Sequence, residues 1–298
     1  MTSQRSRPWL SGRGTNLALL LALLLTYLTG AVSEATGAPR GWWVSDGHGV
    51  AAVLVIVLLP WKSRVVRRGL RRARATRWLS ALMGVIIVAT LFTGVASMTG
   101  LLTGVAGLGI LWLHIAAALV VIPLIGWHAI ARPARWRRTD LSRRTALRAG
   151  VLGVGSLAGF SGVDAVVGHS ALPGAERRFT GSVETASFTP AAMPATIWLD
   201  DTVPTAKNWR LRVVDGVGSR TLSLTDLSAT VTRRATLDCT SGWYAEQDWS
   251  GVRVADLLRE NGSTSARSLL VHSRSGYRRR FPLTDLQSLL LATHVGGE

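Results

Sequence analysis

The chain has a single cysteine, Cys239, in 298 residues, and only Lys62 and Lys207 among its 34 Lys and Arg are lysine. A lone cysteine excludes an intramolecular disulfide. It leaves a buried bystander, a nucleophile or a ligand to a soft metal. Acids are scarce in the first part of the chain: residues 1–168 carry 19 Lys or Arg and 4 acids, a net +15. Residues 169–298 carry 15 and 13, a net of only +2. A nucleic-acid surface needs its basic excess on a folded polar domain, and that is where it is missing, so this class of function is excluded. An arginine skew of this kind is frequent in high-GC bacteria, and a bacterial source is expected from it.

What is present is apolar sequence in long runs. Residues 17–32, 42–61, 78–98, 108–130 and 146–167 are five candidate membrane spans. The third, fourth and fifth, of 21, 23 and 22 residues, are long enough to cross a hydrocarbon core of ~30 Å at ~1.5 Å per residue. The third and fourth contain no Asp, Glu, Lys or Arg, while Arg148 and Asp164 lie near the ends of the fifth. Trp42, Trp43, Trp61 and Trp78 stand where an interfacial aromatic belt is expected. Residues 62–77 hold eight basic residues and no acid, and 132–148 hold seven and one. Basic loops stay in the cytoplasm. The N-terminus, with Arg5, Arg7 and Arg13, is therefore expected inside a bacterial plasma membrane, and 169–298 outside. A cleaved signal peptide fits poorly, because four further spans follow the first. Ser142-Arg143-Arg144-Thr145-Ala146-Leu147-Arg148 resembles a twin-arginine export signal, with Ala146 at the usual phenylalanine. The alternative is two more positive-inside arginines.

Three histidines fall in the spans, where ionisable residues mark function. His114 and His128 are 14 residues apart, about 21 Å of rise and within ~40° of one helix face. His48 and His114 each stand six residues into spans that run in the same direction, which gives them matched depth. One haem b ligated by His48 and His114 is geometrically sensible; polar helix packing is the alternative. Fourteen residues on from His48 is Lys62, so His128 has no inner histidine partner. It is read either as a hydrogen-bonded interfacial residue or as a ligand whose partner is unidentified.

Beyond Asp164 the sequence turns polar. Residues 171–195 read as a linker or extended arm. Strands are expected at 209–214, at Leu222 and Leu224, and at 229–237 and 268–272. Short helices are expected at 254–260, closed by Asn261-Gly262, and from Thr284 through Leu286, Leu289 and Leu290. On this reading 196–298 forms an α+β domain. Arg278, Arg279 and Arg280 alternate along a strand, so Arg279 cannot share a face with the other two.

Leu237-Asp238-Cys239-Thr240-Ser241-Gly242-Trp243-Tyr244, then Trp249-Ser250-Gly251-Val252 and Ala255-Asp256-Leu257-Leu258, resembles the sulfite-oxidase-type molybdopterin-binding domain. Thr196-Ile197-Trp198-Leu199-Asp200-Asp201, Ser275-Gly276-Tyr277 and the stretch from Leu290 to Gly297 extend the likeness over most of the exterior domain. The resemblance implies that Cys239 is the protein thiolate on molybdenum. It also implies that Thr240, Ser241 and Gly242 approach the molybdopterin through backbone and hydroxyl groups. Family members continue past the Gly-Gly-Glu into a His-Gly-x-Pro-x-Arg segment. The domain is thus expected to be C-terminally incomplete and to hold its cofactor weakly. Gly-His-Gly-Val in the second span and Trp-Leu-His with Gly-Trp-His in the fourth are similar to cytochrome-like anchors of bacterial molybdopterin oxidoreductases.

The expected architecture is a five-span α-helical anchor over 1–168, a linker at 169–195 and the molybdopterin domain at 196–298. The expected function is a molybdenum-dependent oxidoreductase acting on a small molecule outside the membrane and exchanging electrons through the anchor with a redox partner or quinone. Two alternatives come from other classes: a membrane protein with a non-catalytic molybdopterin-like domain, and a haem-only electron carrier.

Overall fold

The computed structural model describes residues 9–35, 41–70, 76–106, 108–133, 137, 140, 142–194, 209–215, 218–258 and 266–297. Arg5, Arg7, the motif at 196–201 and the Asn261-Gly262 turn lie outside them. The chain divides into two compact units: Met1–Val183 with Cys239–Gly242, and Glu184–Asp238 with Trp243–Glu298.

The first unit is built on five helices, α1 (Gly12–Ala35), α2 (Trp42–Leu70), α3 (Arg77–Thr99), α4 (Ile110–Ala131) and α5 (Arg143–Gly168). All five are long and apolar enough to cross a membrane. Each expected span lies within its helix except at the start of the fourth, where Leu108 and Gly109 form a strand. The largest extension is in α2, which runs on to Leu70. Apolarity marks where a helix meets lipid, whereas basic residues with good helix propensity continue the same hydrogen-bonding past that boundary. Leu28, Val85, Phe92, Leu119, Val154 and Val166 are exposed on the helix surfaces, as lipid-facing side chains are.

Helix α1 packs on α2, α3 on α4, and α5 on α2. Leu19 and Ala22 of α1, Val55 and Leu58 of α2 and Leu152 of α5 form a buried cluster. In lipid such contacts act through close packing rather than through release of water. Gly49 lets α5 come close, since a methyl group there would lie 2.1 Å from the Phe160 ring. Ser142 caps α5 by accepting from Thr145 N at 3.4 Å, which contributes about 1 kcal/mol. Gly100, in the left-handed region at φ 66°, closes α3. A two-stranded ribbon, β1 (Gly104–Val105) with β2 (Leu108–Gly109), leads into α4. Arg13 at the start of α1 grips Asp140 with two bonds of 2.6 Å. That guanidinium, helped by the Arg137 backbone N–H, holds the Asp140 carboxyl below the ordinary range.

The second unit is built on strands. Its central sheet has the order β10 (Leu290–Val295), β7 (Trp243–Arg253), β3 (Val183–Glu184), and β6 (Val231–Cys239) also pairs with β7. The hairpins β4 (Arg210–Asp215) with β5 (Gly218–Ser223) and β8 (Ser268–His272) with β9 (Arg278–Pro282) stand beside it in sequence. Among the described residues this unit has strands and 3₁₀ turns but no α-helix, so the α+β expectation is corrected to a β-rich region. The expected helix at 254–260 is a 3₁₀ turn at Ala255–Leu257. The expected helix from Thr284 is a 3₁₀ turn at Leu283–Asp285 followed by a strand. Leu286, Leu289 and Leu290 have helical spacing, but Leu290 pairs with Arg253 across the sheet, and that pairing decides. Leu224 likewise lies in a 3₁₀ turn after β5. The segment expected to be a linker holds β3 and two 3₁₀ turns, Pro173–Glu176 and Pro190–Ala192.

Gly251 explains part of the Trp-Ser-Gly-Val pattern. A methyl group there would lie 2.0 Å from Leu291 O of the neighbouring strand, so no side chain fits. Gln247 is fully buried, its Nε2 donating to Ala186 O at 2.7 Å. On the exposed side Arg234 binds Asp248 at 3.0 and 3.1 Å and lies over the Phe188 ring at 4.8 Å. The Arg234 hydrogen bond holds the Asp248 carboxyl low, and in return the guanidinium is held further in its charged form.

Candidate functional site

His48 and His114 come together. Their ring centres are 6.1 Å apart and their planes near perpendicular, at 87°. A metal–imidazole bond of about 2.0–2.1 Å, with the ring centre roughly another ångström behind the nitrogen, puts two rings on opposite sides of one ion about 6 Å apart. The spacing fits a bis-imidazole centre.

Each ring is held from behind in the same way. His48 Nδ1 is 2.9 Å from Thr26 O, and His114 Nδ1 is 2.9 Å from Thr90 O. A carbonyl only accepts, so Nδ1 carries the proton in both rings and Nε2 keeps its lone pair. A histidine that ligates a metal is oriented by such a bond from its other nitrogen. The Thr29 and Thr93 hydroxyls lie 3.5 and 3.4 Å from the same Nδ1 atoms. Gly30 and Gly94 leave room for the rings: a methyl group on either would come within 3.0 Å of the facing Cε1.

These contacts repeat because the sequence does. Thr26-Tyr27-Leu28-Thr29-Gly30 in α1 matches Thr90-Leu91-Phe92-Thr93-Gly94 in α3. From His48 to Lys62 in α2 and from His114 to His128 in α4, seven of fifteen positions are identical, ending in Trp61 and Trp127. The hairpins α1–α2 and α3–α4 are thus two versions of one unit, each supplying one imidazole. Composition and spacing brought out the histidines but not the threonines and glycines behind them. The doubled Thr-x-x-Thr-Gly is the signal that would have found these.

His128 is not part of the pair. Its Nδ1 is 3.4 Å from Ser80 Oγ, and Trp127 lies against its ring at 6.1 Å.

Cys239 ends β6, and the chain reverses through Thr240, Ser241 and Gly242 into β7. Gly242 N donates to Cys239 O at 3.0 Å, and Gly242 takes φ 92°, a conformation open to glycine at little cost. The thiol is free and half-buried, with Sγ 3.0 Å from Ser241 Oγ. Within the first unit this turn rests on the start of α4: a methyl group on Gly242 would lie 3.0 Å from Leu111 Cβ, three residues before His114. A soft thiol with no covalent partner, presented on a tight turn beside hydroxyl groups, has the donor chemistry of a soft-metal ligand. Four residues on, the buried Trp243 Nε1 has no hydrogen-bond partner among the described residues, a state that buried donors rarely keep without a ligand or water.

Fold and site define a class first: a helical bundle of membrane-crossing type carrying paired imidazoles, a β-rich unit, and one free thiol on the turn between β6 and β7. Residues 200–298 match the family model of the oxidoreductase molybdopterin-binding domain, and Cys239 lies inside the matched stretch. No curated protein and no solved structure matches the chain.

Proposed function

We propose that this protein is a membrane-anchored oxidoreductase whose exterior domain binds a molybdenum cofactor through Cys239 and whose anchor binds one haem b between His48 and His114. The observation that carries the reading is Cys239 itself: the chain's one thiol, uncommitted, on a glycine turn inside the stretch that matches a molybdopterin-binding family. Thr240 and Ser241 offer hydroxyls, and Gly242 allows close backbone approach. When bound, the molybdenum centre supplies two-electron chemistry on a small molecule. The chain's own part is to fix the thiolate and keep its turn against the start of α4.

Cys239→Ser tests the assignment, since serine is close in size but puts a harder oxygen in place of the soft thiolate. The variant is expected to lose turnover and most of its molybdenum while keeping its membrane insertion and its sheet. Activity within a few-fold of the parent would return Cys239 to a packing role. The proposed orientation, with 169–298 outside, follows from the basic loops at 62–77 and 132–148. A reporter active only in the cytoplasm, fused after residue 170, is expected to stay silent; a strong signal reverses the orientation.

A further inference from the structure

The repeated hairpins bring a second pair of residues to matching positions. Fourteen residues past each imidazole stand Lys62 and His128, about 21 Å further along α2 and α4, each directly after its tryptophan. Each meets the polar residue ten places before the first threonine of its own hairpin. Lys62 Nζ donates to Asn16 Oδ1 at 3.0 Å, as His128 Nδ1 approaches Ser80 Oγ. Lys62 and Arg132 are the charged groups that act on His128, and Arg132 acts on Lys62; among the described residues no carboxylate does either.

The inner pair differs chemically from the outer one. Two imidazoles with free Nε2 lone pairs suit a metal ion. An ammonium already donating to an amide oxygen has no lone pair to give. Lys62, His128 and Arg132 instead offer N–H groups at the end of the helices where the basic loops begin, with the Trp127 ring against that of His128. Such a set favours a flat ligand whose oxygens accept hydrogen bonds and gain negative charge on reduction.

We infer that Lys62 and His128 bind the headgroup of a membrane-soluble quinone, at the end of the bundle that carries the basic loops. The inference rests on the electron-transfer role proposed for the anchor. In the direction of reduction, two electrons from the small-molecule reductant oxidised by the exterior domain, with two protons taken up at the inner face, convert both carbonyls to hydroxyls. In this arrangement Lys62 and His128 donate to the quinone oxygens that receive those protons, Lys62 through the ammonium hydrogens that Asn16 does not take.

The test uses the full chain purified in detergent and a decyl-tailed benzoquinone, with binding measured by equilibrium dialysis. One quinone per chain is expected. Lys62→Met and His128→Leu should each weaken binding about tenfold, the effect of losing one hydrogen bond to a polar oxygen. The b-type spectrum should remain as in the parent, which shows that the bundle is folded. Lys62→Arg, which keeps charge and donors, should retain most of the binding. No binding by the parent, or unchanged binding in both deletion variants, overturns the inference. A second haem lost in His128→Leu also overturns it, because the inner residues would then be iron ligands. Quinone binding that depends on Lys62 and His128 in a protein without any b-type spectrum would remove the haem reading and leave this one standing.

Discussion

The imidazole pair and the thiol turn hold their donor atoms in opposite ways. His48 and His114 are each fixed from behind by a threonine carbonyl, flanked by a threonine hydroxyl and given room by a glycine, and the same three features occur on both sides. Cys239 has one hydroxyl neighbour and a tight turn. A helix bundle in lipid satisfies its own backbone, so spare carbonyls are few, and positioning a ring takes a dedicated contact. A strand end leaves backbone and side chain free to meet a large cofactor. On the proposed function, the first arrangement holds a haem iron between two rings, and the second is open to a ligand that brings its own donors.

The largest expected effect breaks the symmetry outright. His48→Ala or His114→Ala is expected to abolish the reduced-minus-oxidised b-type spectrum of the purified protein, because either loss leaves a single axial imidazole. His128→Ala should leave that spectrum largely intact. An unchanged spectrum in both of the first two variants would mean that the rings serve only helix packing.

A smaller effect sharpens the comparison. Gly30→Ala and Gly94→Ala each force a ring to move by a few tenths of an ångström, an overpacking cost of about 1–3 kcal/mol. The two are expected to weaken haem retention to a similar degree, as judged by haem loss on dilution, without altering helix content. Very unequal responses would show that the hairpins are alike in sequence but not in function.

Much of this was legible in the sequence, for physical reasons that differ by region. The five helices follow from run length and missing charge, and the matched depth of His48 and His114 follows from counting along helices of fixed rise. The strand at 268–272 was legible residue for residue, and the one at 209–214 to within a residue. The second unit's helices were misread because Leu286, Leu289 and Leu290 satisfy a helical period that strand pairing overrides. The carbonyls of Thr26 and Thr90 were invisible, since a backbone atom leaves no mark of its own in composition. Cys239 was found through the likeness of its neighbours; a lone thiol has no spacing to read.

The most direct test of the central claim is the haem content and low-temperature electron paramagnetic resonance spectrum of the purified full chain. One haem b per chain, with the low-spin signal of two axial imidazoles that disappears in both His48→Ala and His114→Ala, is the predicted result. Protein folded in detergent but free of haem, or a haem signal that survives both substitutions, would contradict it.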